Sequence, residues 1–428
     1  MGIFQPHGFT YQKIGFSIVP HTFAHKHIGV FMALRTLNHL KANLQGKGVI
    51  LRVDFNVPLT NDCKVADDTR IKAALPTIEW LQKQEAKIIL CSHLGRPKGP
   101  TPKLSLEPVA AYLSELLNQT VYFCDVVEEP ALLTYEMKNG EILLLENLRF
   151  HEGESSDSSA FAEKLALCGE YYINDAFGLV HRADASVHAL AKIFSEKEKS
   201  FAGFLIEEEF NALSEVLNRK VNTVAVVGGS KVSDKIIMIE NLTKRCKHIL
   251  IGGAMAYTFL AAQKIPTGSS MVETDKVSLA EKLIALCNKR GVTLHLPMDH
   301  VVASEFAETA TPQITEGQDI PTGTMALDIG PKTIAAYSEI IKNANCVFWN
   351  GPMGVFEWEN FAAGTIAVAQ ALVDCTGYTV VGGGDSAAAV VKFNKTEGIS
   401  HISTGGGASL AFLEETPLPG MEYLHYNV

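Results

Sequence analysis

No stretch of this sequence is apolar and long enough to cross a bilayer, which excludes a chain threaded through a membrane by helices. Eight cysteines are scattered from Cys63 to Cys375, with no CxxC pair and no Cys/His group at zinc spacing. A zinc ribbon is thereby excluded, and reduced thiols in a cytosolic protein are the expectation. A basic excess is also missing. The formal charge of -10 argues against nucleic acid or an anionic membrane held by bulk electrostatics. Any anion must be caught by a local cluster. Neither a repeat at the short periods of solenoids nor a low-complexity segment occurs.

What is there suits an ordinary soluble globular protein: 47% hydrophobic content, 20% charge, and 34 glycines that imply many tight turns. A chain of 428 residues exceeds one compact core, so two domains of about 150 to 200 residues are expected, with a cleft between them. Residues 1–31 carry Lys13, Lys26 and four histidines without one acidic residue, and Pro20 and His25 interrupt their apolar stretches. A regular pattern begins only at Met32, so an extension outside the fold is expected there, with a transit peptide as the alternative.

From Gly48 onward one unit recurs: a short apolar strand, a polar or glycine-rich turn, then an amphipathic helical stretch. The strands are VILRV, KIILC, VYFC, ILLLE, YYIN, TVAVV, HILIG, TLHLP, CVFWN, TVVGG and HIST. Strands alternating with helices imply parallel sheets covered on both faces, with ligands beyond the carboxyl ends of the strands. Residues 201–218 place Phe201, Phe204, Leu205, Phe210, Leu213 and Leu217 at helical spacing. Such a helix either joins two domains or belongs to the core of one. The expected division is 32–200, the helix 201–218, 219–405, and a segment 406–428 returning to the hinge and the first domain.

The two halves end their strands differently. In the first the ends carry charge: RVDFN (52–56), SHLGRP (92–97), ENLRFH (146–151) and NDAFGLVHR (174–182). In the second they carry glycine: VVGGSK, LIGGAM, WNGPMG, VVGGGDS and STGGGAS. Arg96, Arg149 and Arg182 follow strands, and Arg70 starts a helical stretch. Arginine presents a rigid fork that meets phosphate or carboxylate oxygens two at a time, so four at one crevice suit a small anion with more than one charged group. His93 and His181 read equally as turn residues or ligand contacts; Asp54 and Asn56 either bond substrate hydroxyls or cap a turn.

Glycines let backbone approach a ligand, and amides at a helix start hold phosphate. Asp385 and Ser386 either cap the helix after VVGGG, or Asp385 takes a magnesium ion carried by nucleotide phosphates. Lys231 and Lys235 are four apart, one helical turn, and both would face those phosphates. Gly382, Gly384 and Ala387 also satisfy a dinucleotide-binding pattern, but the next strand, HIST, ends in glycines where that pattern needs an acid. Neither a GxxxxGK loop ending in Ser or Thr nor an HRD loop occurs, which excludes P-loop and protein kinases.

In order, RVDFNVP, SHLGRP, LLENLRF, NDAFG, HRA, GGSKVSDK, WNGPMGVFE, GGGDS and STGGGAS resemble the motifs of the phosphoglycerate kinase family, from about Met32 to the C-terminus. The resemblance implies an α/β fold of two doubly wound, Rossmann-like parallel-sheet domains joined by a helix and hinge, in a cytoplasmic monomer. It implies reversible phosphoryl transfer between 1,3-bisphosphoglycerate and ADP, giving 3-phosphoglycerate and ATP in glycolysis, across a closing cleft. Carried over by motif, Asp54, Phe55, Asn56, Arg70, His93, Leu94, Gly95, Arg96, Arg149 and Arg182 bind the three-carbon acid. Lys235, Gly253, Asn350, Glu357, Gly383, Gly384, Asp385 and Ser386 bind the nucleotide, with Glu357 on the ribose and Asp385 on Mg²⁺. Arg70, Lys231, Gly383 and Gly406 act on the group in flight. Departures from the commonest pattern are Leu179 and Val180 for small Thr and Ala, Ser386 for threonine, and Asp184, an acid two residues from Arg182. A small-molecule kinase for another acceptor and a non-catalytic nucleotide or sugar-phosphate sensor stay open; Lys231, Lys235 and Asp385 argue against the sensor.

Overall fold

Alternate residues of the strand Gly48–Arg52 enter different cores, Val49 and Leu51 one and Ile50 the other. Ile88 and Leu90 divide from Ile89 and Cys91 in the same way along Lys87–Cys91. Period-two alternation with both faces apolar is what a parallel sheet buried on both sides requires. Such a sheet is built from Val121–Cys124, Ile142–Leu145, Lys87–Cys91, Gly48–Arg52, Tyr171–Asn174 and Ser200–Ala202, hydrogen-bonded in that order and parallel throughout. A second parallel sheet is ordered Thr293–His295, His248–Ile251, Thr223–Val227, Cys346–Asn350, Tyr378–Gly382 and His401–Ile402. The computed structural model describes residues 32–125, 134–219 and 221–427. The extension expected over 1–31 lies outside the described residues.

Each apolar run read from the sequence as a strand is one. A small antiparallel sheet of His300–Ala303, Gln313–Ile314 and Met325–Ile329 was not anticipated, nor was the pairing of Met32–Leu34 with His425–Asn427. That pairing brings the last residues back to the first half, where Gly420 N–H also donates to the Val180 carbonyl at 2.9 Å.

The helix between the sheets runs from Phe204 to Asn218. The expected start at residue 201 is corrected, because Ser200–Ala202 is an edge strand instead. Asp175 sets the true start. Its Oδ1 accepts from the backbone N–H of Leu205 at 2.8 Å and of Ile206 at 3.3 Å, satisfying donors that a helix start leaves orphaned. Gly203 makes room for it, since a Cβ there would come within 2.3 Å of that oxygen. Ile206, Phe210, Leu213 and Leu217 then join a single core that also holds Ile50 of one sheet and Ala225 and Phe348 of the other. Each such side chain contributes about 1.5–3 kcal/mol on burial. The helix is therefore the shared wall of both halves, and the two readings left open by its sequence merge.

An ion-pair cluster, buried at His401 and Glu209 and open at Glu208, ties this helix to the second sheet. His401 Nε2 lies 2.9 Å from Glu209 Oε2, and Nδ1 lies 3.6 Å from Glu208 Oε1. Burial by itself would lower the imidazole pKa, but hydrogen bonds and charges from both glutamates outweigh it and raise the value from 6.5 to about 9. The folded chain thus keeps a proton that the unfolded chain sheds between those values. This stabilisation is complete below pH 6.5 and is lost as pH rises through about 9. Urea midpoints are expected to fall across that window and to fall less steeply in His401→Gln; parallel pH profiles for the two proteins would refute the assignment.

Candidate functional site

The charged loops of the first half follow four adjacent strands, Ile142–Leu145, Lys87–Cys91, Gly48–Arg52 and Tyr171–Asn174, so the sheet order sets those loops side by side. Arg70, in the first turn of the helix Thr69–Lys83, donates from Nη1 to Asp54 Oδ2 at 2.8 Å. Asp54 Oδ1 also accepts from the Asn56 N–H at 3.3 Å, so the turn-capping reading of Asp54 holds beside its ion pair with Arg70. Asn56 Oδ1 accepts from Gly95 N–H at 2.8 Å, and Arg149 Nη1 donates to the Gly95 carbonyl at 2.8 Å. Asp184 bridges Arg149 and Arg182, at 3.2 and 3.3 Å. Arg96 is exposed. Phe55 and Leu94 are buried in the apolar core, which leaves their backbone as the part near the loops.

His93 is buried, 4.0 Å from Asp54 Oδ1 and 3.4 Å from Arg52 Nη2. Burial, then the positive charges of Arg52, Arg149, Arg70 and Arg182, push its pKa well below 6.5. The ring is neutral near pH 7, and each of those arginines is itself paired with a carboxylate: Arg52 with Glu154, Arg70 with Asp54, Arg149 and Arg182 with Asp184. His181 is exposed in the following turn, its pKa lowered by partial burial and by Arg182; a Cβ at Gly407 would sit 3.6 Å from its ring, across the gap between halves.

Arg52 was not among the anticipated site residues. Fully buried beneath the pocket, it donates from Nε to Ser186 Oγ at 2.7 Å and lies 3.8 Å from Glu154. A cation inside the apolar run VILRV was the available signal, since a buried charge demands partners.

In the second half the loops after five adjacent strands press backbone against backbone. A Cβ on Gly228 would come within 2.1 Å of the Pro352 carbonyl oxygen, and one on Gly351 within 2.2 Å of the Gly228 carbonyl oxygen. Gly253, at φ +66°, would likewise meet Gly229 at 2.5 Å. These glycines serve loop-to-loop packing. Around Gly229, Gly384 and Gly406, by contrast, a Cβ meets nothing within 4 Å, so these positions face open space. Gly383, at φ +92°, packs on the Asn350 amide.

Asn350 is the hub: its Oδ1 accepts from Lys235 Nζ and its Nδ2 donates to the Gly382 carbonyl at 2.8 Å. Lys235 has its pKa lowered by burial, with Asp234, Asp385 and Glu414 pulling the other way. The expectation that Lys231 and Lys235 share a helix face is corrected. Residues 231–235 form turns, the helix begins at Ile236, and Lys231 is exposed. Neither Asp385 nor Ser386 caps the helix Gly384–Lys392: its N-cap is Gly383, and Ser386 Oγ accepts from the Gly351 N–H at 2.6 Å. Asp385 is exposed in the first turn, and Glu357 is exposed on the loop after Cys346–Asn350.

The halves meet where Thr404 faces Asp54, Arg70, Asp175, Gly178 and Leu205 around a small cavity. Thr404 is itself held by Glu209 Oε1, which accepts from its N–H at 2.7 Å. Among the described residues, no group of three or more His, Cys, Asp or Glu side chains could hold a metal by themselves. A lone exposed carboxylate such as Asp385 fits instead a Mg²⁺ ion that arrives on nucleotide phosphates, because Mg²⁺ takes one or two carboxylates plus phosphate oxygens.

The family model described as phosphoglycerate kinase matches residues 39–416. A phosphoglycerate kinase of Anaeromyxobacter dehalogenans (strain 2CP-C) is 50% identical over 397 residues, covering 91% of this chain and 99% of that protein. "Phosphoglycerate kinase 3, cytosolic" of Arabidopsis thaliana is 48% identical over 394 residues, covering 90% and 98%. Among solved structures, phosphoglycerate kinase from Coxiella burnetii superposes with a TM-score of 0.83 at 38% identity, covering 91% of this chain and 98% of that one. The enzyme from Pyrococcus horikoshii OT3 gives 0.79 at 33% identity, with the same coverage.

Proposed function

Because the chain belongs to the phosphoglycerate kinase family and transfers a phosphoryl group reversibly between 1,3-bisphosphoglycerate and ADP in glycolysis, we propose how its residues divide that work. Arg70, Arg96, Arg149 and Arg182, with Asp54, Asn56 and His93, take the three-carbon acid. Lys235, Asn350, Glu357 and the turn Gly383 to Ser386 take the nucleotide, and Asp385 meets the Mg²⁺ of MgATP or MgADP. That ion would neutralise charge on the phosphates and hold them in one orientation. Residues 32–200 and 219–405 act as the two domains, the helix 204–218 and the returning C-terminal segment as the hinge. The site is complete within a cytoplasmic monomer.

The observation that carries this reading is the guanidinium cluster in which Arg70 pairs with Asp54 at 2.8 Å and Asp184 joins Arg149 to Arg182, together with the open space at Gly384 and Gly406 in the glycine loops of the other half. In the ATP-consuming direction the nucleophile is a carboxylate, ionised near pH 7 because its ordinary pKa is around 3 to 4. No general base is needed, and the neutral, buried His93 is not asked to be one. A loose, anionic transition state needs positioning and positive charge, which Arg70, Lys231 and the amides at Gly383 and Gly406 supply. Closure brings the halves together and keeps water from the acyl phosphate.

A coupled assay offering 3-phosphoglycerate, glycerate or acetate with MgATP tests the acceptor: turnover is expected with the first alone. Small-angle scattering is expected to show a smaller radius of gyration with both substrates than with either; identical curves would sink the closure.

A further inference from the structure

We propose that Asp184 is a positioning residue for the acid site, one carboxylate that holds the guanidinium groups of Arg149 and Arg182 at a fixed spacing so that both meet a single anionic substrate. The inference rests on the assignment of those arginines to the three-carbon acid. Asp184 Oδ2 accepts from Arg149 Nη2 at 3.2 Å, and its Oδ1 accepts from Arg182 Nε at 3.3 Å. Only 2% of the residue is exposed. Water therefore has little access to this carboxylate, which depends on the two arginines for its charge partners.

The acid stands on a rigid base. Its carbonyl accepts from the N–H groups of Val187 and His188, both at 2.9 Å. The next two residues are pinned by Glu154: Ala185 N–H donates to the Glu154 carbonyl at 2.8 Å, and Ser186 donates to its carboxylate from N–H at 3.0 Å and from Oγ at 2.6 Å. Arg149 is fixed from its other side as well, through Nη1 on the Gly95 carbonyl. Arg182 is engaged at Nε, which leaves its two terminal amino groups for a ligand; its side chain is 34% exposed.

Two guanidinium groups sharing a small pocket repel each other, and each would relax toward a different rotamer in the absence of ligand. A carboxylate between them removes that repulsion and selects one arrangement of the pair before the substrate arrives, which lowers the ordering cost of binding. The competing account makes Asp184 a screening charge that merely weakens the pocket's pull on anions. The two accounts predict opposite signs.

The test is Asp184→Asn in the full chain, which keeps the shape and one accepting oxygen but loses the charge. Calorimetric titration with 3-phosphoglycerate and steady-state kinetics are read together. The Kd and KM for 3-phosphoglycerate are expected to rise about tenfold, the scale of one charge-assisted hydrogen bond, while the KM for MgATP stays within about twofold. An unchanged or tighter Kd for the acid overturns the proposal in favour of screening. An equal rise for both substrates overturns it in favour of a general structural role. Should the Asn variant fail to fold, Asp184→Glu keeps the charge on a longer arm; it must raise the Kd for the acid severalfold, and wild-type binding there overturns the proposal too. If the unsubstituted chain itself does not bind 3-phosphoglycerate, the assignment of the acid site fails, not this inference alone.

Discussion

Arg70→Ala is expected to lower kcat by roughly 100-fold or more, the scale of losing one preorganised donor aimed at developing charge. Of the pocket's arginines, Arg70 alone lines the cavity that also holds Thr404 of the other half. In the proposed division of work that makes it the acid-side cation set closest to the other half. Asp54 fixes it in advance through the 2.8 Å ion pair, and the first turn of Thr69–Lys83 fixes its backbone. The Arg70 side chain is 37% exposed, so its removal empties no core, but it deprives the buried Asp54 of its ion pair and should lower Tm measurably, which is read beside the kinetics. Arg70→Lys restores charge without the fork and should recover only part of the rate. Steady-state kinetics with both substrates saturating measure the effect, and near-normal turnover would remove Arg70 from the reaction.

Asp385→Ala is expected to lower kcat/KM for MgATP by about 100-fold, with the KM for 3-phosphoglycerate unchanged. Mutation of groups that orient a metal costs on this scale. Asp385 is exposed in the first turn of its helix and does not cap it, so a stability loss cannot imitate the kinetic one. Raising free Mg²⁺ should restore part of the activity, because the lost contribution is affinity for the metal-loaded nucleotide. Full activity at ordinary magnesium would leave Asp385 without a role in nucleotide use.

The parallel strands were legible because each is a short run apolar on both faces, and their order in the chain already separated cationic ends from glycine ends. Ser200–Ala202 was hidden, since Phe201 and Phe204 share a helical spacing whichever element they belong to. The pairing of Met32–Leu34 with His425–Asn427 joins opposite ends of the chain, which no local pattern can announce. At the site, residue types were legible and partnerships were not. The two-residue spacing of Arg182 and Asp184 was visible, yet the contact of Asp184 with Arg149 exists only once two loops meet. The glycines divided in the same way: sequence marked them as special, and only the fold separates Gly228 and Gly351, needed for close packing, from Gly384 and Gly406, left facing space.

The polypeptide passes between the halves twice, outward through Phe204–Asn218 and homeward through the stretch that seats Gly420 on Val180 and His425–Asn427 beside Met32–Leu34. A single tether would let one lobe swivel freely about the other. Two tethers define a line, as paired pins do on a door, so the proposed closure would swing the lobes about that line without spinning them. Thr404 and Arg70, which line one cavity, would then meet along a single arc.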